Sequence, residues 1–122
     1  MIEKTVIRYL MTALETEHVY AERPMAPPLE ALPEEYYLIE KTGGGEENHI
    51  LNATIAVQSI SARSMLRAAE MSEAAERAMK ALPAEVDDVS RCRLNADYNF
   101  TDTETKEYRY QAVFDLIYME GE

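Results

Sequence analysis

The sequence predicts an α+β fold, an antiparallel or mixed β-sheet with two helices packed on one face. Three observations predict it. Apolar residues recur at helical spacing in two separate stretches, 2–15 and 64–82. Apolar and polar residues alternate with period two towards the C-terminal end. The elements follow one another as helix, strands, helix, strands, a segregation that favours an antiparallel sheet with both helices on one side.

In the first helix, 2–15, Ile2, Val6, Leu10, Ala13 and Leu14 form the apolar side, with Tyr9 beside them. Glu3, Lys4, Arg8 and Thr12 form the polar side. Residues 19–22 read as a short strand. Pro24, Pro27, Pro28 and Pro33 then cluster in 23–35. Proline lacks an amide donor and resists helix, so this stretch reads as an extended arm. Residues 36–42 are rich in strand formers, and Gly43-Gly44-Gly45-Glu46-Glu47-Asn48 reads as the turn of a hairpin. Its second strand, 49–61, places Leu51, Ala53, Ile55 and Val57 on one face and Asn52, Thr54 and Gln58 on the other.

Ser61 or Ser64 is positioned to cap the second helix, 64–82, and Pro83 to end it. Ala68, Met71, Ala75, Ala78 and Leu82 make its apolar stripe, with Met79 at the edge. Glu70, Glu73, Glu76, Arg77 and Lys80 make the wet side. A final hairpin follows. Cys92, Leu94, Ala96, Tyr98 and Phe100 alternate with Arg91, Arg93, Asn95, Asp97 and Asn99. After a turn at 101–106, Tyr108, Tyr110, Ala112, Phe114, Leu116 and Tyr118 alternate with Arg109, Gln111, Val113, Asp115, Ile117 and Met119. One face of this hairpin is expected to be buried, Tyr98, Tyr108, Tyr110 and Tyr118 included.

At 122 residues the chain is expected to form one domain, 1–122, and to need no staple for its core. Its charge is unusual. Twelve Lys and Arg face 23 Asp and Glu, for a formal charge of -11. That balance argues against nucleic acid or an anionic membrane as an adhesive partner, since both select basic patches. No stretch is long and apolar enough for a membrane helix, and the first residues lack the apolar run of a signal peptide. Cys92 is the single cysteine, so no intrachain disulfide forms, which fits a reducing compartment.

No constellation in the sequence carries chemistry, and the chain reads as a protein that is not an enzyme and needs no cofactor or metal. The run Gly43-Gly44-Gly45 leads into Glu46 and Glu47, which repel phosphate, and lacks the Lys and Ser/Thr of a phosphate loop. Glu46, Glu47, His49 and His18 do not have the spacing of a metal site. Cys92 falls in the apolar register, as a structural thiol does. Carboxylates are too abundant for any pair to stand out as an acid–base couple.

The polar side of the final hairpin is more informative. Arg91, Arg93 and Arg109 are expected to project from one side, near Asp97 and Asp115 and among Val113, Ile117 and Met119. Such a half-charged, half-apolar sheet face suits either solvent, with weak cross-strand ion pairs, or a wet interface with a neighbouring subunit.

Several strings then carry a resemblance. They are Tyr37-Leu38-Ile39-Glu40-Lys41-Thr42-Gly43-Gly44, residues 49–58, Leu94-Asn95-Ala96-Asp97-Tyr98-Asn99-Phe100-Thr101-Asp102-Thr103, and Tyr108-Arg109-Tyr110-Gln111-Ala112-Val113-Phe114, with the opening Met1-Ile2-Glu3-Lys4. Over nearly the whole chain the sequence resembles small prophage tail-region proteins similar to the tail terminators (tail-completion proteins) of long-tailed bacteriophages. The resemblance implies a sheet flanked by helices and a hexameric ring that caps the tail tube, stops its polymerisation and offers a docking surface to the filled head. The implied partners are copies of the chain, the tail tube protein and a head-completion or neck protein. DNA would pass through without specific binding. The implied location is the virion tail or neck, and the host cytoplasm during assembly. The resemblance brings no active-site residues with it.

The expected contact residues are Pro24, Pro27 and Pro28 of the arm, Gly43, Gly44, Gly45, Glu46 and Glu47 of the turn, and Arg91, Arg93 and Arg109 of the sheet. An acid-lined lumen would let DNA slide rather than bind. A head–tail adaptor shares the ring and changes the partner. A small metal-dependent enzyme or a ligand-binding dimer stand as readings from other classes.

Overall fold

The computed structural model describes residues 1–22, 33–101 and 107–119. Helix α1, Ile2–Ala13, is amphipathic as its spacing predicts, and Ile2, Val6 and Leu10 are its buried residues. It ends at Ala13, two residues short of the expected boundary at 15. Glu15 takes a left-handed conformation, φ 52°, and the Thr16 amide donates to the Met11 carbonyl at 3.1 Å. That bond closes the last turn in the manner of a Schellman cap.

Helix α2, Met65–Glu85, starts where Ser64 accepts a hydrogen bond from the Arg67 amide at 3.0 Å. Ser61 is not the cap; its hydroxyl donates to Glu35 and accepts from the Arg63 amide. Pro83 does not end the helix, which continues to Glu85, with the Val86 amide donating to Leu82 at 2.9 Å. So near the end, proline removes one donor without breaking a long ladder. Ala68, Met71, Ser72, Ala75, Met79 and Leu82 are buried, so Met79 sits at the centre of the stripe rather than its edge. Ala78 is partly buried against the same core cluster, and its carbonyl accepts from the Tyr9 hydroxyl of α1 at 2.6 Å.

Among the described residues, five strands form one mixed sheet: β1 (Val19–Tyr20), β2 (Glu35–Glu47), β3 (Ile50–Ser61), β4 (Val89–Asn99) and β5 (Tyr108–Tyr118). Their order is β1-β2-β3-β5-β4. β1 runs parallel to β2, and every other pairing is antiparallel. The β2–β3 turn is not where the glycines are. Gly43, Gly44 and Gly45 lie inside β2, without positive φ. The reversal is made by Asn48 and His49, at φ 52° and 67°, between the paired Glu47 and Ile50. Positive φ at both central residues is what a tight primed turn requires, and asparagine and histidine tolerate it better than most side chains. The predicted turn at 101–106 falls almost wholly outside the described residues.

Three register shifts decide which side chains share a face; the first in β4, between Val89 and Arg91, leaves Ser90 as an extra residue. In β2 the register shifts between Lys41 and Gly43. In β4 it shifts again between Leu94 and Ala96, so Asn95 is the extra residue. Before Asn95, Leu94 lies opposite Phe114. After it, Ala96 lies opposite Val113, Asp97 opposite Ala112 and Tyr98 opposite Gln111. An inserted residue flips everything beyond it to the other side. Ala96, Tyr98 and Phe100 therefore leave the face expected to be buried. Tyr98 is 41% and Phe100 46% exposed. Tyr108 is exposed as well, Tyr110 is half-buried, and Tyr118 is buried as expected.

Both helices cover the same face. Ile2, Val6 and Leu10 of α1 and Met71, Ala75, Met79 and Leu82 of α2 join Tyr37, Ile39, Ile55, Val57, Phe114 and Leu116 in one apolar cluster. Phe114, Leu10, Ile39, Ile55, Met79, Leu82 and Leu116 are fully buried. At about 1.5–3 kcal/mol for each such side chain, this face supplies the main stabilisation. No described helix is long and apolar enough to cross a membrane.

Candidate assembly surface

The second face of the sheet, away from the helices, carries the alternate residues of each strand. They include Tyr36, Leu38 and Glu40 of β2, Thr54, Ala56, Gln58 and Ile60 of β3, and Arg109, Gln111, Val113, Asp115 and Ile117 of β5; of these Tyr36, Ala56, Gln58, Ile60 and Gln111 are buried. Arg91, Arg93, Ala96 and Tyr98 of β4 complete it. Arg91, Arg93 and Arg109 thus do share a side, with Asp115, Val113 and Ile117. Asp97 does not join them, because the Asn95 bulge turns it towards α2.

The three arginines differ. Arg109 is half-buried and ion-paired with Glu107 at 3.4 Å, and Glu107 also accepts from the Tyr36 hydroxyl at 2.8 Å. That group knits β2 to β5. Arg91 and Arg93 are exposed and make no ion pair among the described residues. Arg93 sits opposite Asp115, whose carboxylate accepts from Thr54 at 3.2 Å and from Asn95 at 2.9 Å instead. Tyr98, moved here by the bulge, accepts a hydrogen bond from Gln111.

The sheet also has two unlike edges. β1 pairs with β2 only at Tyr37 and Leu38, so beyond Ile39 no described strand covers that edge. Residues 40–47 along it, Glu40, Lys41, Thr42, the three glycines, Glu46 and Glu47, are all exposed. At the other edge, β4 presents Arg91, Arg93, Ala96, Asp97 and Tyr98, also exposed. Close to the hairpin tip Ile50 is 51% exposed, and with Glu47, Asn52 and Ile117 it lines a shallow depression of about 320 Å³. Ile50 was not among the expected contact residues; only the true position of the turn brings it to the tip. Pro24, Pro27 and Pro28 lie outside the described residues.

Chemical sites are not assembled from the remaining candidates. His18 is beside the start of β2, its carbonyl accepting from the Tyr37 amide, and its ring is hydrogen-bonded to Tyr20. Glu46, Glu47 and His49 are at the far end of that strand, roughly 30 Å away at the strand rise. No group of three metal-ligating side chains occurs among the described residues. Burial, and secondarily the charge of Asp115, push the Cys92 thiol up to about 12, the opposite of an activated nucleophile. An open groove of about 800 Å³ between α1 and the end of α2 has Lys4 and Arg8 on one wall and Glu85 on the other, with no converging catalytic set.

No protein-family model matches the sequence. No curated protein matches it either. Among solved structures, a chain from the virion of a native gene transfer agent particle is similar at 15% identity and a TM-score of 0.45, over 94% of this chain and 92% of that one.

Proposed function

We propose that this chain is a structural protein of a phage-type tail that assembles as a ring, caps the tail tube and stops its growth. The observation that carries the reading is the contrast between the two sheet edges. One is acidic and glycine-rich; the other holds two arginines that make no ion pair among the described residues. Unlike edges suit a head-to-tail contact, which closes into a ring when the rotation per subunit is right. A two-fold dimer would need one self-complementary patch instead. The resemblance to tail terminators, carried by the strings in β2, β3, β4 and β5, supplies the identity of the ring.

The net charge of -11 supports a lumen that repels phosphate, so DNA passes without being held. The contact residues proposed are Gly43, Gly44, Gly45, Glu46 and Glu47 at one edge and Arg91 and Arg93 at the other. The test mixes the protein with its tail tube protein. Tubes of limited length with a ring at one end in electron micrographs are the expected result. Tubes of unchanged length and bare ends would sink the reading, and binding to portal-side rings alone would make the protein a head–tail adaptor.

A further inference from the structure

The strand register gives the two edges a common scale. Reading straight across the sheet, Arg91 lies level with Ile117, Asn52 and Gly45. Arg93 lies level with Asp115, Thr54 and Gly43. All four terminal residues of these two rows belong to the second face. On that face Gly43 and Gly45 leave a gap without side chains, flanked by Glu40 on one side and Glu47 on the other.

The protomer itself does not require glycine at these two positions. Neither has positive φ. A Cβ on Gly43 would meet only the Thr54 side chain, at 3.8 Å, and one on Gly45 only that of Asn52, at 3.7 Å. Those are ordinary contacts. Gly44 is different, since its Cβ would lie 2.9 Å from the Asn52 carbonyl oxygen. Glycine inside a strand costs about 0.5–1 kcal/mol relative to alanine. Glycine inside a strand marks a bulge, which adjoins Gly43 here, or a place where another backbone approaches closely, the reason left for Gly45.

We propose that the β2 edge, 40–47, pairs antiparallel with the β4 edge of a second copy, whose Arg91 and Arg93 lie across Gly45 and Gly43 and reach Glu47 and Glu40. The direction follows from the topology. β2, β3, β5 and β4 alternate in sense, so β4 runs opposite to β2, and a head-to-tail neighbour continues the sheet as an antiparallel pair. The helix-side face is complementary too. Lys41 is level with Leu94, beside Asp97 of the copy, which with Glu76 forms an acidic pair. Opposite charges on the two edges select this pairing over like-with-like pairing of either edge. The proposal rests on the ring reading and specifies its interface.

The test is disulfide trapping in the full chain, with Cys92→Ser and the pair Gly45→Cys and Arg91→Cys. Within one protomer these positions are three strand spacings apart, roughly 14 Å, too far for a bridge. A bond therefore reports a neighbour. Products are read by non-reducing electrophoresis and by electron microscopy, alone and with tail tube protein. Closed rings whose covalent ladder ends at the ring number support the proposal. Closed rings without any interchain bond overturn the edge pairing and leave the ring standing. Cross-linked open chains that never close uphold the pairing and overturn the ring. Neither rings nor bonds in this pair, with no rings from Cys92→Ser alone either, overturns both. A second variant, Gly43→Val with Gly45→Val, should keep or raise the melting temperature while abolishing ring formation; rings formed at unchanged concentration overturn the pairing.

Discussion

The carboxyl of Glu76 on α2 faces that of Asp97 on β4, two acids held together at the seam between helix and sheet. Burial first, and then the hydrogen bond and charge of Asp97, push the Glu76 carboxyl up to about 7, against the opposing charge of Lys80. Because the folded state holds this proton more tightly than the unfolded chain, the contribution is full below the ordinary value near 4.5 and is lost as pH rises through 7. Glu76 is partly exposed, so screening reduces the effect to about 1 kcal/mol. Glu76→Gln should flatten the fall in melting temperature between pH 5 and pH 7.5; a slope equal to that of the unmodified protein would exclude Glu76 as its source.

Glu35 has the opposite linkage. Burial alone would raise its carboxyl, but hydrogen bonds from Arg67 at 2.8 Å and Ser61 at 3.1 Å, with the charges of Arg67 and Arg63, outweigh it and lower the pKa. The stabilisation is present above the ordinary value and is lost as pH falls through the lowered one. The pair ties the start of β2 to the start of α2 at a partly exposed site. Arg67→Ala should therefore cost about 0.5–1 kcal/mol at pH 7 and progressively less in acid, as measured by urea unfolding across pH.

The two linkages differ in how far the sequence foretells them. Both helices, the buried sides of β2, β3 and β5, and the sharing of a face by Arg91, Arg93 and Arg109 follow from periodicity, because a repeating pattern survives any single local irregularity. Periodicity alone places Glu76 on the wet side and Asp97 on the arginine face. Asn95 changes that assignment, since a bulge adds one residue without disturbing the alternation visible in the sequence. The glycine run misled for a related reason. Glycine permits a turn without demanding one, and the reversal went to Asn48 and His49, where the pairing of Glu47 with Ile50 required positive φ. Pro83 misled because a helix tolerates proline in its final turn when the lost donor is a single one.

The turn itself gives a third prediction. His49 holds φ 67°, a conformation that costs an ordinary side chain on the order of 1–2 kcal/mol. His49→Gly removes that strain and loses some back through the greater freedom of glycine in the unfolded chain. The expected net gain is about 0.5 kcal/mol, a small rise in melting temperature. Asn48→Val should destabilise by about 1 kcal/mol or more, since a β-branched residue is poorly suited to this backbone. If both variants melt with the unmodified protein, the reversal lies elsewhere.

Cys92 packs against the apolar cluster, and its thiol at about 12 leaves roughly one molecule in ten thousand as thiolate at pH 8. Reaction with an aromatic disulfide reagent should be at least about a hundredfold slower in the folded protein than in urea. Equal rates in the two states would contradict the burial. Cys92→Ser should leave assembly intact, which also makes it a safe background for the trapping experiment.

Phe114 and Tyr98 separate the observed sheet from a simple alternation. An unbroken period of two through β4 would put Tyr98 in the core with Phe114. The bulge instead leaves Tyr98 41% exposed on the second face, where its ring meets Phe100 edge-on at 6.0 Å between centroids. Phe114 is fully buried among residues of both helices and the central strands. Phe114→Ala should then cost about 3–5 kcal/mol, the range for emptying a packed aromatic site. Tyr98→Ala loses a partly exposed ring and its bond from Gln111, for about 1–1.5 kcal/mol. Denaturant unfolding of the two variants measures the difference directly. Equal losses would place Tyr98 back under the helices and remove the bulge on which the level of Arg91 and Arg93 relative to the rest of β4 depends.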